Sequence, residues 1–350
     1  MTLQHFVEAM PKFELNVHLE GAFDKNRLTL IAEQYDIHET LKHFQDWVKL
    51  IQTPDYNRLL DIVRIANSWI REGDDLSRIA YDLGTQLSKQ NVKYAEVSVC
   101  PALYSELGLD LEGFFSALND GRDRAERAWG VRMSWVLTVP RDEPRRAEDV
   151  VRWASSLPGR RANVIGIGVT GRDDVQPAGQ FEKAFRSAEK HGLARSIRVG
   201  EKTGATGTMD SLQVLKPTRL VDARGIWDNS VALERASDEH VAVLFSPSRM
   251  IKHHWLPDHG SGAVRQLYDA NIVLVVGTDM PTFYQTTINQ EYRMLVENFG
   301  LSSAELEQVA LYAVQASAID ADVKERTIEE FTAEYAKLRQ EFLSSEEQPT

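Results

Sequence analysis

An α/β fold of the (β/α)8 TIM-barrel type is the architecture that this 350-residue sequence predicts, and three observations carry it. Short β-branched and apolar runs alternate with helical patterns along almost the whole chain, as βα units around a parallel sheet do. Eight such runs can be counted, the number that closes a barrel. No repeat, low-complexity block or Gly/Ser linker interrupts them. Residues 1–344 are therefore expected to form one domain, followed by a disordered polar tail over 345–350.

The strands are expected at 13–18, 92–99, 132–139, 164–169, 194–199, 219–222, 240–246 and 272–279. Between them, stretches such as 75–89, 111–129, 146–156, 177–190 and 263–269 read as helices, several with apolar residues at three- and four-residue spacing. The connection after the first strand is much longer. Its residues 22–71 hold two or three amphipathic helices and would form a lid over the C-terminal strand ends, where such barrels carry their sites. Phe44, Trp47 and Ile51 fall at helical spacing there; Phe44 and Trp47 are candidate substrate contacts, with plain core packing as the alternative. Helices around 287–298, 303–316 and 323–344 would complete the barrel and its flank.

Composition excludes several classes of function. A net charge of -12 with no long basic run argues against nucleic-acid or anionic-membrane partners. No segment approaches the roughly 20 apolar residues needed to cross a bilayer. Residues 1–10 lack the basic and apolar regions of a secretory signal, so a cytoplasmic protein with a small-molecule substrate is expected. The single cysteine, Cys100, ends an apolar run and reads as a buried thiol.

Chemistry enters at residues 11–21, Pro-Lys-Phe-Glu-Leu-Asn-Val-His-Leu-Glu-Gly. A strand sends alternate side chains to one face, so positions 16 and 18 project together, and two imidazoles there would make half of a zinc site. This chain has Asn16 and His18. The words on either side of the pair resemble the opening strand of the adenosine deaminase family, in the amidohydrolase superfamily, which reads His-x-His here. Tyr94-Ala95-Glu96-Val97 resembles the family's second strand. Val164-Ile165-Gly166-Ile167 with Thr170-Gly171 resembles its fourth, where the resemblance implies that Gly171 lets the backbone approach a purine.

The remaining strand ends keep the family's frame and change its chemistry. Arg198-Val199-Gly200-Glu201 stands where the family has His-Ala-Gly-Glu, so Arg198 replaces a zinc ligand while Glu201 keeps the proton-shuttling carboxylate. A guanidinium stays protonated and offers no lone pair to a metal. Arg219–Ala223 resembles Arg-Ile-Gly-His-Gly, which puts Asp222 at the catalytic histidine; a two-residue slip would put Arg224 there. Ser246-Pro247-Ser248-Arg249-Met250 resembles Cys-Pro-Thr-Ser-Asn with its last two residues changed. Thr278-Asp279-Met280-Pro281 resembles Ser-Asp-Asp-Pro, retaining the ligand Asp279 and replacing the purine-binding aspartate with Met280.

The resemblance, from about Pro11 to Ala316, implies a divergent member with a degenerate zinc site: only His18 and Asp279 survive, and no metal or other cofactor is expected. The reading that follows is a metal-independent enzyme with Glu201 as acid/base, Arg198 as electrostatic clamp and Asp222, His18 and Asp279 as orienting groups. Asn16, Gly171, Arg249, Met280, Phe44 and Trp47 are the candidate substrate contacts, with Arg172 and Arg249 suited to a carboxylate or phosphate. Of His253 and His254, at most one would reach inward. The substrate would be small, polar and nitrogen-containing, nucleoside-like or anionic, in a biosynthetic setting. Two other readings stand beside it: a non-catalytic binder of purine-like ligands, and a zinc-dependent deaminase with ligands drawn from His18, Asp279, Glu201 and Asp222.

Overall fold

The computed structural model describes residues 3–227, 229–256 and 262–343. Eight parallel strands form one sheet in sequential order: β1 (Lys12–His18), β2 (Val92–Val99), β3 (Arg132–Pro140), β4 (Val164–Thr170), β5 (Ala194–Val199), β6 (Arg219–Asp222), β7 (Ala242–Phe245) and β8 (Leu274–Val276). This is the predicted (β/α)8 barrel. Val17 and Asp279 pair between β1 and the chain beyond β8, where the His18 N–H donates to the Asp279 carbonyl at 2.7 Å. The Asp279 N–H donates in turn to the Asn16 carbonyl at 2.6 Å. That narrow seam nearly closes the cylinder.

β7 and β8 are shorter than their apolar runs because hydrophobic patterning marks what is buried, whereas a strand ends where its ladder does. β8 pairs with β7 only through Leu274, Val275 and Val276. The expected tail, 345–350, lies outside the described residues.

Helices Lys25–Gln34, Ile37–Thr40, Phe44–Gln52 and Leu59–Asn67 occupy the long connection between β1 and β2. Phe44 packs against Trp69 with the rings tilted and their centres 5.3 Å apart, and Arg58 lies over the Trp47 ring at 5.6 Å. Leu60, Asp61, Val63 and Arg64 from the same connection line a cavity at the barrel mouth. No helix among the described residues is long and apolar enough to cross a membrane.

Candidate active site

Arg198 points into the barrel from the end of β5, and the β5–β6 register sets it beside Val221, with Asp222 opposite Val199. Asp222 turns out of β6 with φ of 64°, a left-handed conformation that aspartate tolerates better than most residues. Its carboxylate meets the guanidinium: Arg198 Nη1 donates to Asp222 Oδ2, and Nη2 donates to Asp279 Oδ2 at 2.8 Å. Glu201 Oε1 is 3.6 Å from Nη1. Of the two registers open for the sixth strand, Asp222 reaches the cluster and Arg224 begins the turn beyond it.

A second guanidinium joins the first. Arg249 lies on the short helix Pro247–Lys252 that starts directly after β7. Its Nε donates to Asp222 Oδ2 at 3.0 Å and lies 3.3 Å from Asp279 Oδ2, while Nη2 is paired with Glu201. Nη1 donates to the Tyr284 hydroxyl, and the guanidinium lies over the Trp255 ring at 5.1 Å. His253 Nε2 is 3.0 Å from the same hydroxyl, whereas His254 is exposed. Thus one of the adjacent histidines reaches inward.

Two guanidinium groups therefore face three carboxylates in a buried cluster. Burial pushes the Asp279 carboxyl up, but Arg198 and Arg249 outweigh it and hold the group below the usual range. His18 is pushed down to about 4 chiefly by burial, so its ring is neutral at neutral pH. Its Nε2 lies 3.9 Å from Asp279 Oδ1, and its Nδ1 lies 3.9 Å from Glu20 Oε2. Asp173 holds the turn that presents Glu201 by accepting from the Gly200 and Lys202 N–H groups at 2.8 and 2.9 Å.

Few of the groups gathered at the strand ends are imidazoles or thiols, the kind most often found in zinc sites. Such sites use three or four Cys, His or carboxylate ligands in tetrahedral array. Among the described residues, the one trio of such groups with ligand atoms within 4.8 Å of one another is Asp36, His38 and Glu39, exposed and in the connection between β1 and β2. Among the described residues no third group of this kind joins His18 and Asp279 within that distance, and the fork of Arg198 is bonded to Asp279.

A cavity of about 230 Å³ opens beside the cluster, walled by His18, Glu20, Arg141, Asp142, Gly171 and Met280 among others. Gly171 lines this cavity and has φ of 99°, a conformation that favours glycine. Met280 packs on Gly21, where a Cβ would come within 2.3 Å of Met280 Cβ. Asn16 lies deeper, its Nδ2 donating to Ser246 Oγ at 3.1 Å. Phe44 and Trp47 do not line this cavity. Arg172 is exposed and pairs with Asp174 at 2.6 Å. Cys100 is buried in the cavity wall, and burial pushes its thiol up, as a structural cysteine requires. A larger hollow of about 580 Å³ is lined by Val17, Phe23, Thr278 and Pro281 among others; neither lining includes Arg198, Glu201 or Asp222, and the smaller cavity is the one that holds His18, which lies 3.9 Å from Asp279.

Sequence reasoning passed over Glu20, Arg141 and Tyr284. Glu20 is buried, accepts the Cys100 N–H through Oε1, and is pushed up to about 7 by burial. Glu20 and Arg141 lie just past the C-terminal ends of β1 and β3, and that position was the available signal; Tyr284 ends the short helix Pro281–Tyr284 beyond β8.

The barrel and the polar cluster at its C-terminal mouth define an amidohydrolase-type architecture. The family model described as adenosine deaminase matches residues 11–334, and the chain belongs to that family. An adenine deaminase of Sinorhizobium medicae is 25% identical over 320 residues, covering 91% of this chain and 97% of the relative. An aminodeoxyfutalosine deaminase of Streptomyces avermitilis is 24% identical over 325 residues, 93% of this chain and 91% of that one. Among solved structures, a Burkholderia ambifaria amidohydrolase with bound zinc superposes with a TM-score of 0.89 at 22% identity, covering 99% of this chain and 96% of that one. The adenine deaminase of Arthrobacter aurescens gives 0.83 at 20% identity, covering 94% and 100%.

Proposed function

We propose that this protein is an enzyme acting on a small, nitrogen-containing, purine- or nucleoside-like substrate at the barrel mouth, with a pair of guanidinium groups in the seat that a divalent ion would take. One observation carries the reading: Arg198 and Arg249 together bind Asp222, Asp279 and Glu201 in a buried cluster. Two unit positive charges equal the charge of the ion they stand for. Family membership and the named relatives support the substrate class.

The chemistry assigned to these residues is proton transfer under a fixed electrostatic field. Glu201 takes or returns the proton, and the guanidinium pair stabilises negative charge developing on the substrate. Neutral His18 orients the reacting group from the opposite wall. The helices between β1 and β2 serve as the cover that excludes water.

The test is a deamination and proton-exchange assay on purified protein whose metal content has been measured by mass spectrometry. Turnover is expected to survive chelation, and Glu201→Gln is expected to lower it by about 10²–10⁴-fold in a variant that still folds but melts at a lower temperature, because Arg249 loses its charged partner. Stoichiometric zinc, with activity lost on chelation, would favour the atypical-ligand deaminase instead. A second reading, a non-catalytic binder, draws support from the engagement of Glu201 with Arg249. Ligand-induced stabilisation without any turnover would select it.

A further inference from the structure

Three arginines line the mouth cavity, and they are not equivalent. Arg64 pairs with Asp142 at 3.1 Å, and Arg172 pairs with Asp174. Arg141 is 3% exposed, and no carboxylate among the described residues forms an ion pair with it. Its Nε donates to the Gln176 carbonyl at 2.8 Å and its Nη1 to the Arg198 carbonyl at 3.1 Å. Among the described residues Nη2 has no acceptor. Asp173, the acid that acts on it most, spends its oxygens on Gly200, Lys202 and Thr203. A buried cation without a partner is costly, and a ligand that supplies the missing anion recovers that cost.

The surroundings leave room for such a group. Gly171 follows Thr170 in the same wall, and a Cβ at Gly171 would come to 3.7–3.8 Å of the Arg141 backbone nitrogen and Cβ, so its absence widens the space beside Arg141. The acids of the cavity do not cancel the guanidinium: Asp142 is held by Arg64, Asp61 is exposed, and Glu20 faces His18.

We infer that Arg141 is the anion-binding residue of the substrate site, receiving a carboxylate or phosphate group carried by the substrate. This rests on the mouth being the substrate site. It assigns to Arg141 the recognition that sequence reasoning gave to Arg172 and Arg249, both of which already hold carboxylates. A guanidinium fork meets two oxygens of either anion, which the compact ammonium of lysine does not.

Calorimetry with adenosine, AMP and adenosine 5′-carboxylate, together with the Nε–Hε NMR signal of Arg141 during titration with inorganic phosphate and acetate, tests this. At least one anionic nucleoside is expected to bind about tenfold or more tightly than adenosine, and the matching inorganic anion to shift the Arg141 signal. Response to phosphate alone or to carboxylate alone identifies the group, and each supports the inference. Arg141→Lys is expected to remove the contrast and Arg172→Gln to keep it. Equal binding of all three nucleosides with no shift from either anion overturns the inference on wild-type protein alone, whatever the variants do. Contrast lost in Arg172→Gln and kept in Arg141→Lys overturns it as well. Metal content measured on the same sample separates the two proposals: zinc with the contrast intact sinks only the metal-free reading.

Discussion

Arg198 has a side chain 6% exposed and is bonded to two acids that are fully buried, so its removal strands charge where water cannot reach. Arg198→Met is expected to cost about 3–5 kcal/mol in urea denaturation, the penalty of breaking a buried ion pair from one side. A loss below about 1 kcal/mol would mean that Arg249 alone carries the cluster. The converse substitution tests the seat itself. Asn16→His with Arg198→His would set two imidazoles beside His18 and Asp279, and the double variant is expected to bind zinc and to gain more thermal stability on its addition than wild type gains. The departures at 16 and 198 were legible because a familiar motif surrounds each. Arg249 and Arg172 were not distinguishable in the sequence: both are arginines in loops at the mouth, and only the fold shows that one is buried on carboxylates and the other exposed. The buried partnership of Arg249 depends on Tyr284 and Trp255, which come from two different strand ends.

At the scale of elements, the turn after β1 and the turn after β8 meet through Gly21 and Met280. Gly21→Ala would place a Cβ 2.3 Å from Met280 Cβ and 2.8 Å from its Cα, so one of the two turns must move. A destabilisation of about 1–3 kcal/mol is expected, as for overpacking of a well-filled core. Met280→Ala should recover part of it in a double-mutant cycle, and additive effects of the two changes would show that they do not touch. Strand order and number were legible because eight apolar runs alternate with one-sided helices. What faces the cavity was not, since the spacing of Phe44 and Trp47 marks a helix face without saying which neighbour covers it. Trp69 covers Phe44, and Leu60 and Val63 from the next helix reach the mouth instead.

For the whole molecule, the seam between the first and last strands ties stability to pH through Glu14. This carboxyl is fully buried, accepts the Asn16 N–H at 3.0 Å and the Thr278 hydroxyl at 3.3 Å, and is pushed up to about 8 by burial. The folded protein therefore holds a proton at Glu14 over a range in which the unfolded chain has released it. Its contribution to stability is complete below the unfolded value near 4.5 and is lost as pH rises toward 8. Other groups titrate over part of the same range: burial pushes His18 down to about 4 and Lys12 down to about 7, and both act with the opposite sign. The net curve is thus a poor readout, and a difference curve isolates the seam. Glu14→Gln keeps the shape and removes the titration, so the stability of the variant relative to wild type is expected to rise with pH between about 4.5 and 8, by at most about 1.4 kcal/mol per pH unit. Chemical denaturation of both proteins across that range checks it. A difference that stays flat would mean that Glu14 is ionised in the folded barrel, and that the seam closes around a charge.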